Sequence, residues 1–160
     1  MLRLLAAAVA VAAMSACGAD APSRADVAMA AEAARLPAEL REGDMVVRAS
    51  LAPTASLNAT IAQRYGVQPG RNVQLLLVGV RQGPAHDEAS LPARVSARAR
   101  DLRGVWQEVA MHEVRRDGFI DYAGGVRASP PDTLAVEVTV HLPGADAPSV
   151  LRFSREILPL

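Results

Sequence analysis

The sequence lacks lysine and contains a single cysteine, Cys17, so it cannot form an intramolecular disulfide. All 17 basic residues are arginines, and 17 acidic residues balance them to a formal net charge of +0. This balance predicts no general attraction of the chain to nucleic acid or to an anionic membrane surface. Aromatic residues make up only 3% of the chain, so Val, Leu, Ile and Ala must supply most of the core. The large side chains expected there are Trp106, Phe119, Phe153, Tyr65 and Tyr122.

The N-terminal apolar run, from Leu4 to Ala13, is too short to span a bilayer. It follows the positive charge of Arg3 and precedes Met14-Ser15-Ala16-Cys17, which resembles a lipobox. Lipidation of Cys17 would account for a lone thiol directly after an export signal. We therefore expect residues 1–16 to be a signal peptide and Cys17 to be a lipidated N-terminus. Cleavage near Ala16 without lipidation and an uncleaved anchor are the alternatives.

Lipidation at Cys17 would anchor the protein to a membrane, because two or more acyl chains give stable membrane binding. Gly18 follows the cysteine where an Asp would favour retention at the inner membrane in enterobacteria. The expected location is therefore the outer membrane, with the protein facing the periplasm.

An alanine-rich segment separates this N-terminus from the folded domain. We expect residues 17–42 to form a flexible tether, and residues 43–160 to form the domain. Within the tether, residues 26–34 could form a short helix that ends before Pro37. A helix docked on the domain is the alternative to a free tether.

Alternating apolar residues after Gly43 predict about seven β-strands joined by short turns. The clearest strand is Thr133–Leu142, with Leu134, Val136, Val138, Val140 and Leu142 facing inward. One short helix is expected near residues 57–65, with Ser56 as its N-cap and Gly66 at its end. The pattern predicts an all-β fold, a single antiparallel β-sandwich of the immunoglobulin-like kind.

The hairpin around Leu102-Arg103-Gly104 allows two registers. A two-residue loop would place Arg98 opposite Gln107. A three-residue loop, with Gly104 in the left-handed conformation, would place Arg98 opposite Glu108 and Arg100 opposite Trp106. We favour the three-residue loop because it pairs opposite charges and stacks apolar residues on the other face.

Several short motifs form an ordered pattern over about Gly43 to Phe153. They are Gly43-Asp44 with Val47, Ile61-Ala62, Tyr65-Gly66-Val67, Leu91-Pro92-Ala93 with Val95-Ser96-Ala97, Leu102, Gly104, His112-Glu113-Val114, Ile120, Tyr122 and Leu134. In order and spacing this pattern resembles a bacterial envelope family, domain of unknown function 4426. The resemblance implies an immunoglobulin-like sandwich in an envelope protein, and brings no established activity or catalytic residues. Arg98, Asp101 and Asp121 depart from the pattern of the family.

No pattern in the sequence indicates catalysis, a metal site or a cofactor. His86, His112 and His141 show no metal-binding spacing, and His112 and Glu113 would point to opposite faces of a strand. No Gly-x-Ser-x-Gly elbow or phosphate-binding glycine loop is present. We therefore expect no enzyme, no metal and no cofactor.

Arg94, Arg98 and Arg100 lie on one face of a predicted strand and form a candidate site. Guanidinium groups suit phosphates and carboxylates, so the face could bind an acidic glycan, a lipid or an envelope protein. It could instead be a solvated face neutralised by Glu108. The expected function is a non-catalytic lipoprotein domain that binds or supports another envelope component. A purely structural scaffold and an unrecognised hydrolase or metal-dependent enzyme are the alternatives.

Overall fold

The structure, a computed structural model, describes residues 36–159. The predicted signal peptide, Cys17 and the predicted helix at 26–34 therefore lie outside the described residues. Within residues 36–159 the chain forms ten strands, one turn of 3-10 helix and one short α-helix. The elements are β1 (Ala38–Glu42), β2 (Met45–Pro53), the 3-10 turn (Thr54–Ser56), α1 (Ala59–Arg64), β3 (Val73–Gln82), β4 (Ala89–Ser90), β5 (Arg94–Arg100), β6 (Trp106–Val109), β7 (His112–Arg116), β8 (Phe119–Arg127), β9 (Asp132–His141) and β10 (Ser149–Ile157).

The strands form two packed sheets in which every pairing is antiparallel. One sheet has the order β1-β2-β3-β8-β7, with the short β4 also paired to β3. The other sheet has the order β10-β9-β5-β6. The antiparallel β-sandwich predicted from the sequence is confirmed, with ten strands where the sequence predicted about seven. None of the helices among residues 36–159 is long and apolar enough to cross a membrane.

Strand β1 lies before the expected start of the domain. Its five residues pair with β2 from Ala38 opposite Ala49 to Glu42 opposite Met45. The segment predicted as a tether therefore ends earlier than residue 42, and the boundary at residue 43 is wrong. Ser149 of β10 donates a hydrogen bond to the Glu42 carboxylate, which joins the two sheets along this side.

The core between the sheets consists mainly of aliphatic side chains, as the composition predicts. Leu134, Val136, Val138 and Val140 of β9 are all buried and face inward, as expected from their alternation. Tyr122 is buried among them, but Trp106 and Phe119 are 44% and 47% exposed. The prediction that Trp106 and Phe119 belong to the core is therefore wrong.

A second, smaller cluster lies on the outer face of the six-stranded sheet, beneath α1. Ala62 of the helix packs with Val67, Leu75 and Ala123. The helix is shorter than predicted, and Asn58 rather than Ser56 caps it by accepting a hydrogen bond from the Ile61 N–H at 2.9 Å. This cluster explains why β3 is apolar on both faces in its first half.

The chain passes from one sheet to the other between β6 and β7. The sequence predicted one strand from Val105 to Val114, but β6 pairs with β5 while β7 pairs with β8. Gly124 of β8 faces the crossing segment, where a Cβ would lie 2.6 Å from Val109 Cγ1 and 2.8 Å from Met111 Sδ. Only a residue without a side chain fits here, because nonbonded carbon atoms prefer separations of about 3.5–4.0 Å.

Gln107 of β6 connects the two sheets near the same crossing by bonding to the end of β8. Its side-chain nitrogen donates to the Arg127 carbonyl at 2.7 Å, and its side-chain oxygen accepts from the Arg127 N–H at 2.9 Å. These two bonds replace those that a neighbouring strand would make to the end of β8, where β7 no longer pairs with it.

Candidate functional site

The candidate site lies on the outer face of the four-stranded sheet, around Trp106 at the start of the edge strand β6. Arg98 lies opposite Glu108 and Arg100 lies opposite Trp106, so the predicted three-residue register is confirmed. The Asp101 N–H donates to the Val105 carbonyl at 3.2 Å, which closes the loop, and Gly104 has φ +84°. The length of the hairpin loop and its left-handed glycine therefore determine which side chains lie opposite each other on this face.

Two guanidinium groups lie against the indole ring of Trp106. The Arg98 Cζ atom is 4.4 Å from the ring centroid, and the Arg100 Cζ atom is 5.2 Å from it. Both distances are within the range of cation–π attraction. The ring is thus held in place by two cations while much of it stays open to solvent.

The carboxylate that neutralises Arg98 comes from β9 and not from Glu108. Glu137 accepts from Arg98 at 2.8 Å and from Arg152 of β10 at 2.7 Å. Hydrogen bonds from Arg152 and then from Arg98 hold the pKa of Glu137 below its usual value. The expectation that Glu108 neutralises the arginine row is wrong, because the strand on the other side of β5 supplies the closer partner.

Arg94 does not join this cluster. It lies opposite His141 at the far end of β5, six residues from Arg100, which corresponds to about 20 Å along a strand. The predicted row of three therefore separates into a cluster around Trp106 and an isolated residue. The third arginine of the cluster is instead Arg152 of β10, which binds Glu137 and which the sequence analysis did not identify as a site residue.

A shallow depression of about 390 Å³ lies beside the indole ring. Its polar lining residues are Arg100, Arg152, Ser154 and Glu137, and Trp106 is among its apolar ones. The Glu137 carboxylate is already paired with Arg98 and Arg152, which leaves Arg100 without a carboxylate partner among the lining residues. Guanidinium groups bind phosphate and carboxylate oxygens, while an aromatic face contacts the flat apolar side of a ligand. The depression therefore suits an anionic group attached to an apolar or amphipathic body.

A second group of ion pairs, partly exposed, lies on the outer face of the six-stranded sheet. Arg48 of β2 binds Glu88 with both terminal nitrogens, at 2.6 and 2.7 Å, and binds Glu39 of β1 at 2.8 Å. The hydrogen bond from Arg48 lowers the pKa of both carboxylates. These bonds attach β1 and the loop before β4 to the sheet, so we assign them a structural role. No local pattern in the sequence could have shown this pairing.

The three histidines lie on separate elements. His112 is on β7, His141 is on β9 and His86 is in the loop before β4. Among residues 36–159, no three His, Cys, Asp or Glu side chains are close enough together to hold a metal ion. His112 and Glu113 pair with successive residues of β8, so they point to opposite faces as predicted.

Comparison with known proteins shows where this fold belongs. The sequence profile described as "Domain of unknown function (DUF4426)" matches residues 40–159. The chain belongs to the DUF4426 family. None of the curated proteins matches it.

Solved structures of two proteins, one of them in two forms, resemble this DUF4426 domain. A DUF4426 family protein of Pseudomonas aeruginosa PAO1 matches with a TM-score of 0.66 at 21% identity, over 78% of this chain and 96% of that one. FetP of uropathogenic Escherichia coli, expressed in the periplasm, matches with a TM-score of 0.57 at 11% identity, over 78% and 96% of the two chains. A copper-bound variant of FetP matches with a TM-score of 0.52 at 10% identity, over 78% and 93%. These likenesses establish the shared fold.

Several of the DUF4426 motifs contact one another. The Tyr122 hydroxyl accepts a hydrogen bond from the Ala93 N–H at 2.7 Å, which joins two of them across the sandwich. Gly66, at φ +57°, lies so close to His112 that a Cβ there would be 2.8 Å from the imidazole Nε2. The motifs thus stabilise the fold, whereas Trp106, Arg100 and Arg152 lie outside the motifs that carried the resemblance.

Proposed function

We propose that this DUF4426 protein is a non-catalytic envelope lipoprotein whose domain binds an anionic envelope component. The site is the cluster of Trp106, Arg98, Arg100 and Arg152. The supporting observation is that Trp106, the one tryptophan of the chain, lies on the surface in contact with two guanidinium groups. Tryptophan and arginine are the residues most often found at the energetic centres of binding surfaces.

The lipoprotein part of the proposal rests on the sequence around Cys17. An apolar segment of signal-peptide length precedes this lone cysteine, and an acyl anchor would hold the domain at the periplasmic face of the outer membrane. FetP shares the fold and was recombinantly expressed in the periplasm, which is compatible with an envelope location for this chain.

We do not extend the copper of the FetP variant to this chain. Copper sites in proteins use converging imidazole, thiolate or thioether ligands. The histidines here lie on separate elements, and the one cysteine is assigned to the lipid anchor. The described residues thus favour a binding surface over a metal centre.

Photo-crosslinking in intact cells tests the binding site. A photoreactive amino acid at Ser154, in the depression beside Trp106, should crosslink to the bound component. Arg100→Glu should abolish this crosslink, because it places a negative charge where an anion is expected to bind. Arg94→Glu is the matched control, since it makes the same charge change on the same strand, about 20 Å away.

The proposal requires a crosslink that survives Arg94→Glu and is lost with Arg100→Glu. Equal crosslinking in both variants, with both shown to be folded by circular dichroism, would refute it. A scaffold without a ligand would give no crosslink in the unsubstituted protein.

A further inference from the structure

The polypeptide enters the domain at one identifiable end of the sandwich. Strand β1 runs away from this end, and Arg155 of β10 donates to the Leu36 carbonyl at 2.7 Å, close to where β10 ends. The bond between Gln107 and Arg127 places the β5–β6 hairpin at the same end. We call this the entry end and define it by Leu36, the loop 101–105 with Trp106, and Leu158.

Most of the exposed large apolar side chains lie at the entry end. Among residues 36–159 six such side chains are highly exposed, and five of them are here. Phe119, the sixth, lies at the opposite end, where β8 begins. The five are Leu36, Leu102, Val105, Trp106 and Leu158, with exposures of 59%, 71%, 57%, 44% and 61%. A concentration of apolar surface on a small domain marks a contact site.

The charges around the apolar tip are mainly positive. Arg155 and Glu156 cancel each other, and the remaining arginines outnumber the aspartates by four to two. The balanced charge of the whole chain is therefore unevenly distributed, and this end can attract an anionic surface. The four arginines and two aspartates are Arg71, Arg100, Arg103, Arg127, Asp101 and Asp132.

We propose that the entry end docks on the phospholipid bilayer, with Leu102, Val105 and Trp106 entering the headgroup region. This inference rests on the proposed lipid anchor and names the anionic component as the phospholipid surface. Tryptophan favours the membrane interface, and arginines pair with lipid phosphates. The hairpin is held rigidly for this contact, because the Leu102 N–H donates to Asp132 at 3.1 Å and Asp101 accepts from the Val105 N–H at 2.9 Å.

The position of the anchor favours a bilayer over a protein partner. Only residues 18–35 separate Cys17 from Leu36, and a flexible chain of that length spans about 25 Å. The anchor would thus keep the membrane within about 60 Å of the entry end even with this segment fully extended, which makes even a weak contact effective. A surface for a protein partner could lie anywhere on the domain, whereas a surface for the bilayer is expected at the end where the anchored chain enters.

Trp106 provides the measurement, because it is the one tryptophan in the chain. The mature protein is reconstituted into phosphatidylethanolamine–phosphatidylglycerol vesicles with and without phospholipids brominated near the top of the acyl chains. We expect bromine to reduce Trp106 emission at least about twofold, as for an interfacial indole. Replacing Leu102 and Val105 together by Ser should remove this quenching. Phe119→Ser, at the opposite end, is the matched control and should leave it unchanged.

Two results separate this inference from the lipoprotein proposal. Mass spectrometry that finds Cys17 unmodified in the cell would overturn the anchor, and with it the docking geometry. An acylated protein whose Trp106 is not quenched would leave the anchor intact and overturn the docking. Trp106 emission that is already shielded from iodide without vesicles would also overturn it, because another protein segment would then cover the entry end.

Discussion

Gly124 and Gly125 are neighbours on β8, yet only the alanine substitution at Gly124 should destabilise the domain. Gly124 faces the segment that crosses from one sheet to the other, and Gly125 faces outward. A Cβ at residue 124 would lie 2.6 Å from Val109 Cγ1 and 3.1 Å from the Ala110 carbonyl oxygen. A Cβ at residue 125 would be 3.6 Å from Val73 Cγ1, an ordinary contact distance.

The size of the difference follows from these distances. The contact with Val109 is about 1 Å shorter than nonbonded carbon atoms tolerate, and Val109 is a buried residue with a stiff side chain. Overpacking of this kind costs about 1–3 kcal/mol of unfolding free energy. Gly125→Ala should instead be neutral or stabilise by up to about 1 kcal/mol, because alanine restricts the unfolded chain.

Urea denaturation and thermal melts of the two variants measure the difference. A domain of this size loses about 4 °C in Tm per kcal/mol, so Gly124→Ala should melt about 4–12 °C below the unsubstituted protein. Gly125→Ala controls for the general effect of adding a methyl group to β8. Equal melting temperatures for the two variants would refute the close approach of the crossing segment to Gly124.

Three other perturbations have defined outcomes. Tyr122→Phe removes the acceptor of a half-buried backbone N–H and should cost about 1–3 kcal/mol in urea denaturation, whereas Tyr65→Phe, whose hydroxyl has no hydrogen-bond partner among residues 36–159, should cost little. Gln107→Ala removes two hydrogen bonds to Arg127 and should lower the unfolding free energy by about 1–2 kcal/mol; a melt unchanged from the unsubstituted protein would contradict this. The pKa of Glu137 is lowered in the folded state, so its contribution to stability is complete above its unfolded pKa and declines as the pH falls through the folded value. Denaturation across pH 7 to about pH 3 should therefore show a smaller loss in Glu137→Gln than in the unsubstituted protein.

Features set by neighbouring residues were predictable from the sequence. The register of the β5–β6 hairpin followed from a short loop with one left-handed glycine and from the pairing of like faces. The inward face of β9 followed from strict alternation over ten residues. Both depend on interactions within or directly between adjacent segments.

Features that depend on distant segments were not predictable. Glu137 pairs with Arg98 from 39 residues away, and no local pattern distinguishes it from Glu108. Strand β1 has the sequence Ala-Glu-Leu-Arg-Glu, in which too few apolar residues alternate to predict a strand. Trp106 and Phe119 are exposed because each lies on the outer face of its sheet, whereas composition alone assigns large apolar residues to the core.

The sequence also does not indicate that the chain changes sheet between β6 and β7. The segment from Val105 to Val114 contains no proline or glycine that would mark a break. The inward-facing Gly124, 14 residues beyond Ala110, is what makes room for the change of sheet. Sequence patterns within a single segment do not relate the crossing near Ala110 to Gly124.

The way in which the chain enters β1 also determines how the domain bears mechanical load. Tension on the N-terminal segment would act along the axis of β1, while its hydrogen bonds to β2 lie across that axis. The whole ladder from Ala38 to Glu42 would be sheared at once instead of being unzipped bond by bond. With the proposed anchor at Cys17, β1 would be the strand on which any pull from the membrane acts first.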